Sequence, residues 1–120
     1  MKNRVFTLTA AQIDYLGQFR QRHTYHSRTQ VVYSGQIPMA AYVLLEGRID
    51  LKNARDKLVK HCEPPTLIGF QEICKNEPFK YTAEIQPGSI VLILDRSAAC
   101  EIINDMSVNT ENHQLLDIVS

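Results

Sequence analysis

The sequence predicts a mainly β protein, an eight-stranded β-roll (jelly roll) with short flanking helices. Two observations lead to this prediction. Short runs of β-forming residues recur in the middle of the chain, and single glycines separate them. A glycine between two such runs indicates a tight corner, because it adopts backbone conformations that are strained for other residues. The runs are Gln30 to Tyr33, Ala41 to Leu45 and Arg48 to Leu51, and the corner glycines are Gly35, Gly47 and Gly69.

Length and composition narrow the class of protein. The 120 residues suit one domain, residues 1–120, with its own core. The formal net charge is zero and 44% of residues are hydrophobic, which argues against a disordered chain or a globally basic nucleic-acid binder. The sequence has no apolar run long enough to cross a membrane, and its first residues lack the apolar core of a signal peptide. We expect a cytoplasmic protein.

The three cysteines are Cys62, Cys74 and Cys100. Their number is odd and none of them forms a C-x-x-C pair, so a disulfide framework and a zinc site are both disfavoured. We expect all three to be reduced, structural thiols.

The elements follow in chain order. A capping box at Thr9 and Gln12, with Ile13 and Leu16 at helical spacing, predicts a helix over about 10–18. The β-roll then covers about 19–95. Its clearest hairpin joins the apolar run that ends at Leu45 to the alternating run after Gly47.

The second half of the roll returns through Lys57 to Cys62, after which Pro64 and Pro65 require a loop. Phe70 to Lys75 can hold one helical turn. Phe79 to Ile85 alternates as a strand does, and Ile90 to Leu94 is apolar throughout, which indicates the buried centre of the roll. Ser97 can cap the first of the C-terminal helices, over about 97–119.

Three segments, in this order and spacing, resemble the cyclic nucleotide-binding domain family of the catabolite activator type. They are Tyr33 to Gln36 as a glycine corner, Tyr42 to Ile49 as an aromatic-aliphatic strand with a glycine hairpin, and Leu92 to Arg96 as the closing strand that leads into a helix. The resemblance covers essentially the whole chain and implies a β-roll that binds a cyclic nucleotide.

In that family a cassette holds the cyclic phosphate. A Gly-Glu pair begins it, a helical turn follows, and an Arg lies ten residues after the Gly. Counting from Gly69 places Phe70 at the Glu position and Phe79 at the Arg position, and counting back from Asp95 gives Phe79 again. We therefore predict a degenerate phosphate cassette. Its positions are Gly69, Phe70, Gln71, Glu72, Phe79, Lys80, Tyr81 and Thr82.

Phenylalanine replaces none of the charged hydrogen bonds of an arginine. On a strand Lys80 points away from Phe79, and Tyr81 points inward with it. We interpret Glu72 as a solvated residue on a short helix, with the ribose carboxylate as the alternative. The rings of Phe70 and Phe79, with Tyr81, would fill the pocket or form an apolar contact surface.

The sequence contains no phosphate-binding loop and no hydrolase or zinc-protease motif. The separated histidines do not match a metal site, so we expect no enzyme activity, no metal and no cofactor. We predict a noncatalytic, stand-alone regulatory module that no longer binds cyclic nucleotide and acts through protein-protein interaction. The alternative is a sensor of a cyclic nucleotide or another anionic small ligand in an atypical pocket.

The expected partner is another protein, not nucleic acid or a membrane. A homodimer through the C-terminal helices is left open, as is packing of the apolar residues from Leu115 to Val119 on their own roll.

Overall fold

The computed structural model describes residues 22–101, which fold into two four-stranded antiparallel sheets with one short helix inserted late. The first sheet has the strand order β1-β8-β3-β6 and the second β2-β7-β4-β5. The predicted mainly β roll of eight strands is confirmed. The elements are β1 (Arg22–Tyr25), β2 (Thr29–Val32), β3 (Ala41–Glu46), β4 (Ile49–Lys52), β5 (Leu58–Cys62), β6 (Thr66–Ile68), α1 (Phe70–Lys75), β7 (Thr82–Ile85) and β8 (Ser89–Leu94). Residues 96–101 are also helical.

Two apolar clusters hold these elements together. The inter-sheet core lies between the sheets and consists of Val32, Tyr42, Leu44, Ile49, Leu51, Cys62, Ile68, Phe79, Tyr81, Ala83, Ile85 and Val91. The helix-side cluster lies on the other face of the first sheet, where α1 and the helical segment 96–101 cover it. Its members are Ala41, Val43, Leu67, Phe70, Ile73, Leu92, Leu94 and Ala99.

The central strands β3 and β8 contribute to both clusters, because successive side chains on a strand point to opposite faces. In β3, Tyr42 enters the inter-sheet core and Val43 the helix-side cluster. In β8, Val91 and Leu92 divide in the same way. This burial on both faces explains why the run predicted as the buried centre of the roll is apolar throughout.

The outer face of the second sheet is polar and carries two buried carboxylates, Asp50 and Glu84, which lie opposite each other on β4 and β7. Asp50 Oδ1 lies 2.8 Å from Arg48 Nε and 2.6 Å from His61 Nδ1. Burial alone would raise the pKa of Glu84. Hydrogen bonds from Gln86 and Lys52, with attraction from Lys52 and Arg28, outweigh burial and hold that pKa below its ordinary value.

The strand predicted from Phe79 begins only at Thr82. The backbone of Phe79 pairs instead with the glycine corner of residues 33–36: its oxygen accepts from Gly35 N at 2.7 Å, and its N-H donates to Gln36 O at 2.9 Å. The helical turn predicted over Phe70 to Lys75 is confirmed as α1. The helix predicted over about 10–18 and the C-terminal helices past residue 101 lie outside the described residues, so the single domain over 1–120 stays a prediction.

The prediction that all three cysteines are reduced is wrong for two of them. Cys74 and Cys100 form a disulfide, with their Cα atoms 5.4 Å apart. They are 26 residues apart in sequence, and only the tertiary structure places α1 beside the helical segment 96–101. The cysteine pattern therefore no longer argues for a cytoplasmic location. Cys62 is free and buried, and burial raises the pKa of its thiol to about 11.

The hairpin corner at Gly47 makes a specific prediction about stability. Gly47 has a φ of +94°, and a Cβ there would lie 2.6 Å from Ser89 Cα and 2.7 Å from Ser89 Cβ. Ser89 Oγ accepts from Arg48 N at 3.0 Å, so a shift of Ser89 would also break this hydrogen bond. We expect Gly47→Ala to lower the free energy of unfolding by about 2 to 5 kcal/mol, the sum of backbone strain and overpacking.

The matched control is Gly88→Ala, because Gly88 has a φ of +85° and open space where its Cβ would stand. It should cost only about 1 kcal/mol, from backbone strain alone. Urea denaturation of both variants measures the difference. Equal midpoints for the two variants would contradict the proposed contact with Ser89.

Candidate functional site

The predicted cassette begins directly after β6, and its later residues contact the glycine corner of residues 33–36. Gly69 precedes α1 with a φ of +81°, in the left-handed region, and its oxygen accepts from Ile73 N at 3.0 Å. α1 is held to the roll by its buried face, where Phe70 and Ile73 enter the helix-side cluster. Gln71, between them, is half-buried. This end of the cassette is anchored by apolar packing on the first sheet.

The two phenylalanines of the cassette lie in different clusters. Phe79 is 0% exposed in the inter-sheet core, whereas Phe70 packs in the helix-side cluster on the other face of the first sheet. The predicted inward orientation of Tyr81 is confirmed: its ring meets that of Phe79 edge to face, with centroids 6.0 Å apart. Phe79 and Tyr81 thus fill space inside the roll, and Phe70 anchors α1.

Lys80 and Thr82, at the end of the cassette, form hydrogen bonds with the glycine corner. Thr82 Oγ1 accepts from Ser34 N at 3.1 Å, and Ser34 Oγ donates to the oxygen of Lys80 at 3.0 Å. The Lys80 side chain is exposed. These hydrogen bonds fix residues 33–36 against the segment that leads into β7.

The interpretation of Glu72 as a solvated residue is wrong. Its side chain is buried, with 4% exposed, and its Oε1 has no hydrogen-bond partner within residues 22–101. The sequence pattern of α1 alone did not indicate this burial, which arises from the tertiary structure. Burial is the main cause that raises the pKa of Glu72 to about 7, and Glu77 adds to it; the backbone hydrogen bond, Lys80 and Lys75 act in the opposite direction.

A recess of about 360 Å³ opens on the outer side of the second sheet. It is lined by Gln30, Tyr33, Ser34, Asn53, Ala54, Asp56 and Thr82. The lining carries one carboxylate and no lysine or arginine, which does not suit an anionic ligand. Of the predicted cassette positions only Thr82 lines it. Local sequence patterns did not indicate this recess, because loops and strands that are far apart in the sequence contribute to it.

An exposed apolar surface adjoins the cassette. Tyr33, Ile37 and Met39 are 50%, 40% and 90% exposed and lie on one connection, residues 33–39, which we call the β2–β3 loop surface. The hydrogen bonds of residues 33–36 to the Phe79 backbone hold one end of it, and Pro38 lies against Gly69 at the other. The glycine corner here was predicted from the sequence, whereas the exposed apolar residues that follow it were not.

Other kinds of site find no support within residues 22–101. No group of three His, Cys, Asp or Glu side chains in this part of the chain converges as a metal site would require. No helix within the same range is both long and apolar enough to span a membrane.

The fold is that of cyclic nucleotide-binding domains. The structure matches the Thermus thermophilus catabolite activator protein with a TM-score of 0.66 and 17% identity, over 88% of this chain and 51% of that one. It also matches a protein of a cyclic-GMP-dependent signalling pathway that regulates bacterial phytopathogenesis, with a TM-score of 0.68 and 16% identity, over 91% and 98%.

A third match is the regulatory subunit of a cAMP-independent protein kinase A from Trypanosoma cruzi, bound to guanosine. Its TM-score is 0.65 and its identity 19%, over 85% of this chain and 36% of that one. This chain thus spans about half of the activator protein and about a third of the kinase subunit. No family model and no curated protein matches the sequence. At these identities the likeness shows the fold alone.

The buried carboxyl of Glu72 predicts a pH dependence of stability. The folded chain binds this proton more tightly than the unfolded chain, whose pKa is near 4.5. The stabilisation is therefore fully present below pH 4.5, is lost as the pH rises through about 7, and stays lost above that. We expect Glu72→Gln to be more stable than the parent at pH 8, by about 2 kcal/mol, and to differ little at pH 4.5.

Urea unfolding at pH 4.5, 6, 7 and 8 checks this expectation. Glu63→Gln, which removes an exposed carboxylate outside this helix, is the control and should keep the parent's pH dependence. If Glu72→Gln also keeps the full pH dependence, the carboxyl of Glu72 is not the group that titrates.

Proposed function

We propose that this chain is a noncatalytic regulatory module of the cyclic nucleotide-binding fold that does not bind cyclic nucleotide and acts in the cytoplasm through contact with another protein. The observation that carries the proposal is the burial of Phe79. By the resemblance, this position belongs to the arginine that holds the cyclic phosphate. Here its ring is 0% exposed and packs against Tyr81 inside the roll.

The energetic argument follows from the chemistry of that arginine. A charge-assisted hydrogen bond contributes about 1.5 to 3 kcal/mol, and loss of that amount weakens binding by at least about tenfold. Lys80 does not replace it, because the Lys80 side chain is exposed and the ring of Phe79 fills the buried arginine position. Phe70 does not replace the ribose carboxylate, because its ring anchors α1 in the helix-side cluster.

The β2–β3 loop surface supports the choice of a protein as the partner. Three of the exposed large hydrophobic side chains of residues 22–101 lie within seven residues of one another, on a loop held at both ends. A fixed loop loses little conformational entropy when it binds, and apolar side chains at the centre of a contact are the ones that contribute most. We therefore propose this loop as the contact surface.

Titration with cyclic AMP, cyclic GMP and guanosine tests the first part of the proposal. Guanosine is included because the Trypanosoma cruzi subunit binds it, and a nucleoside needs no phosphate-binding arginine. We expect no calorimetric heat and no thermal shift at about 1 mM of any of the three. A cyclic nucleotide-binding domain with an intact cassette is the positive control. Micromolar binding of either cyclic nucleotide would overturn the proposal in favour of a sensor.

Two double variants test the contact surface. Ile37→Ser with Met39→Ser removes the apolar character of the loop, while Leu58→Ser with Val59→Ser does the same at a separate exposed pair on β5. Because all four side chains are exposed, both variants should melt within a few degrees of the parent.

Each protein is then immobilised and exposed to extract of its native host. We expect a stoichiometric partner to bind the parent and the β5 variant, and binding to the loop variant to fall at least tenfold. Equal loss in both variants would contradict the assignment of the loop.

A further inference from the structure

The disulfide joins two elements that meet on the outer face of the first sheet. Cys74 lies in α1 and Cys100 in the helical segment 96–101, and both side chains are half-buried. The sequence contains a third cysteine, Cys62, which is fully buried on the inner side of β5. Cys74 and Cys100 are therefore more exposed than Cys62.

Few other described contacts hold the segment 96–101 to α1. Arg96 Nη2 donates to Asn76 Oδ1 at 3.2 Å, at an exposed site. Ala99 is buried in the helix-side cluster with Phe70 and Ile73, but a methyl group removes little apolar surface from water. Compared with the large side chains of α1, the segment is weakly packed. The covalent bond is thus its strongest attachment to the roll among these contacts.

We propose that the Cys74–Cys100 disulfide is a reversible modification site, reduced by a protein dithiol, and that its redox state sets whether the helical segment 96–101 stays fixed to α1. This inference goes beyond the proposed function and does not depend on it. A disulfide whose sulfurs are accessible exchanges readily with thiolates, whereas a deeply buried one resists them. In a reducing compartment, disulfides that do form are commonly transient and redox-sensing.

The exchange balances without any further reagent. A thiolate of the dithiol attacks one cysteine sulfur, the Cys74–Cys100 bond breaks, and the other cysteine leaves as a thiolate that takes up a proton. The second thiol of the reductant then resolves the mixed disulfide. Two electrons and two protons pass to the chain, which gains two thiols, and the reductant becomes a disulfide. The buried thiol of Cys62 takes no part, because an attacking thiolate cannot reach it.

The test uses the whole chain purified without reductant. Under native conditions maleimide should label no cysteine of residues 22–101, and after denaturation it should label Cys62 alone. Treatment with 1 mM dithiothreitol, and separately with reduced thioredoxin, is carried out without denaturant. We expect native labelling of both Cys74 and Cys100 in each case. Labelling of both cysteines before treatment, or of neither after it, would overturn the proposal.

Hydrogen exchange reads out the consequence for the helix. The N-H groups of Ala98 and Ala99 donate to Asp95 and begin the segment. We expect their exchange to become at least tenfold faster on reduction, and Cys100→Ser to show the fast rate without reductant.

Cys62→Ser is the matched control and should keep the response of the parent. If the hydrogen-exchange rates of Ala98 and Ala99 do not change after complete reduction, the disulfide is a structural cross-link only. That result would overturn the regulatory part of the proposal. Because the parent itself is measured in both redox states, the result holds even if a variant folds poorly. Nucleotide binding, if found, would not alter either readout.

Discussion

Burial of the central strands of the first sheet on both faces is the constraint on which the rest of the structure depends. Because β3 and β8 are covered on both faces over most of their length, all of their residues except the exposed Glu46 are apolar or small, and each strand serves two clusters at once. One cluster requires the second sheet as its partner. The other requires a cover, and α1 with the segment 96–101 supplies it. The position of the cassette helix is thus set by the needs of the sheet beneath it.

The second sheet differs from the first, because one of its faces is apolar and the other is polar. Asp50 and Glu84 are buried on its polar face. Asp50 accepts a hydrogen bond from Arg48, and Glu84 accepts one from Gln86. Glu72 is the exception among the buried acids, because its Oε1 has no such partner in the described residues. A satisfied buried carboxylate keeps its charge, whereas an unsatisfied one binds a proton more tightly. Glu84 and Glu72 show the two outcomes in one small domain.

Local sequence patterns were sufficient to predict the strands, because alternation and corner glycines can be recognised within a few consecutive residues. The inward orientation of Phe79 and Tyr81 followed from the same alternation. The start of β7 at Thr82, the pairing of Cys74 with Cys100 and the burial of Glu72 did not. Each of these depends on the tertiary structure. The start of β7 depends on the pairing of Phe79 with the glycine corner, and the disulfide depends on the helical segment after β8. The burial of Glu72 likewise does not follow from the sequence of α1 alone.

Under the proposed function, Phe79 shows how a binding fold can persist without the group that holds its ligand. A pocket for a charged ligand has to keep polar groups unpaired, which costs stability in the absence of ligand. An aromatic ring at that position removes this cost and adds core: truncating a buried phenylalanine typically costs about 3 to 5 kcal/mol. The ring of Phe79 thus stabilises the interior, while its backbone holds the corner from which the β2–β3 loop surface begins.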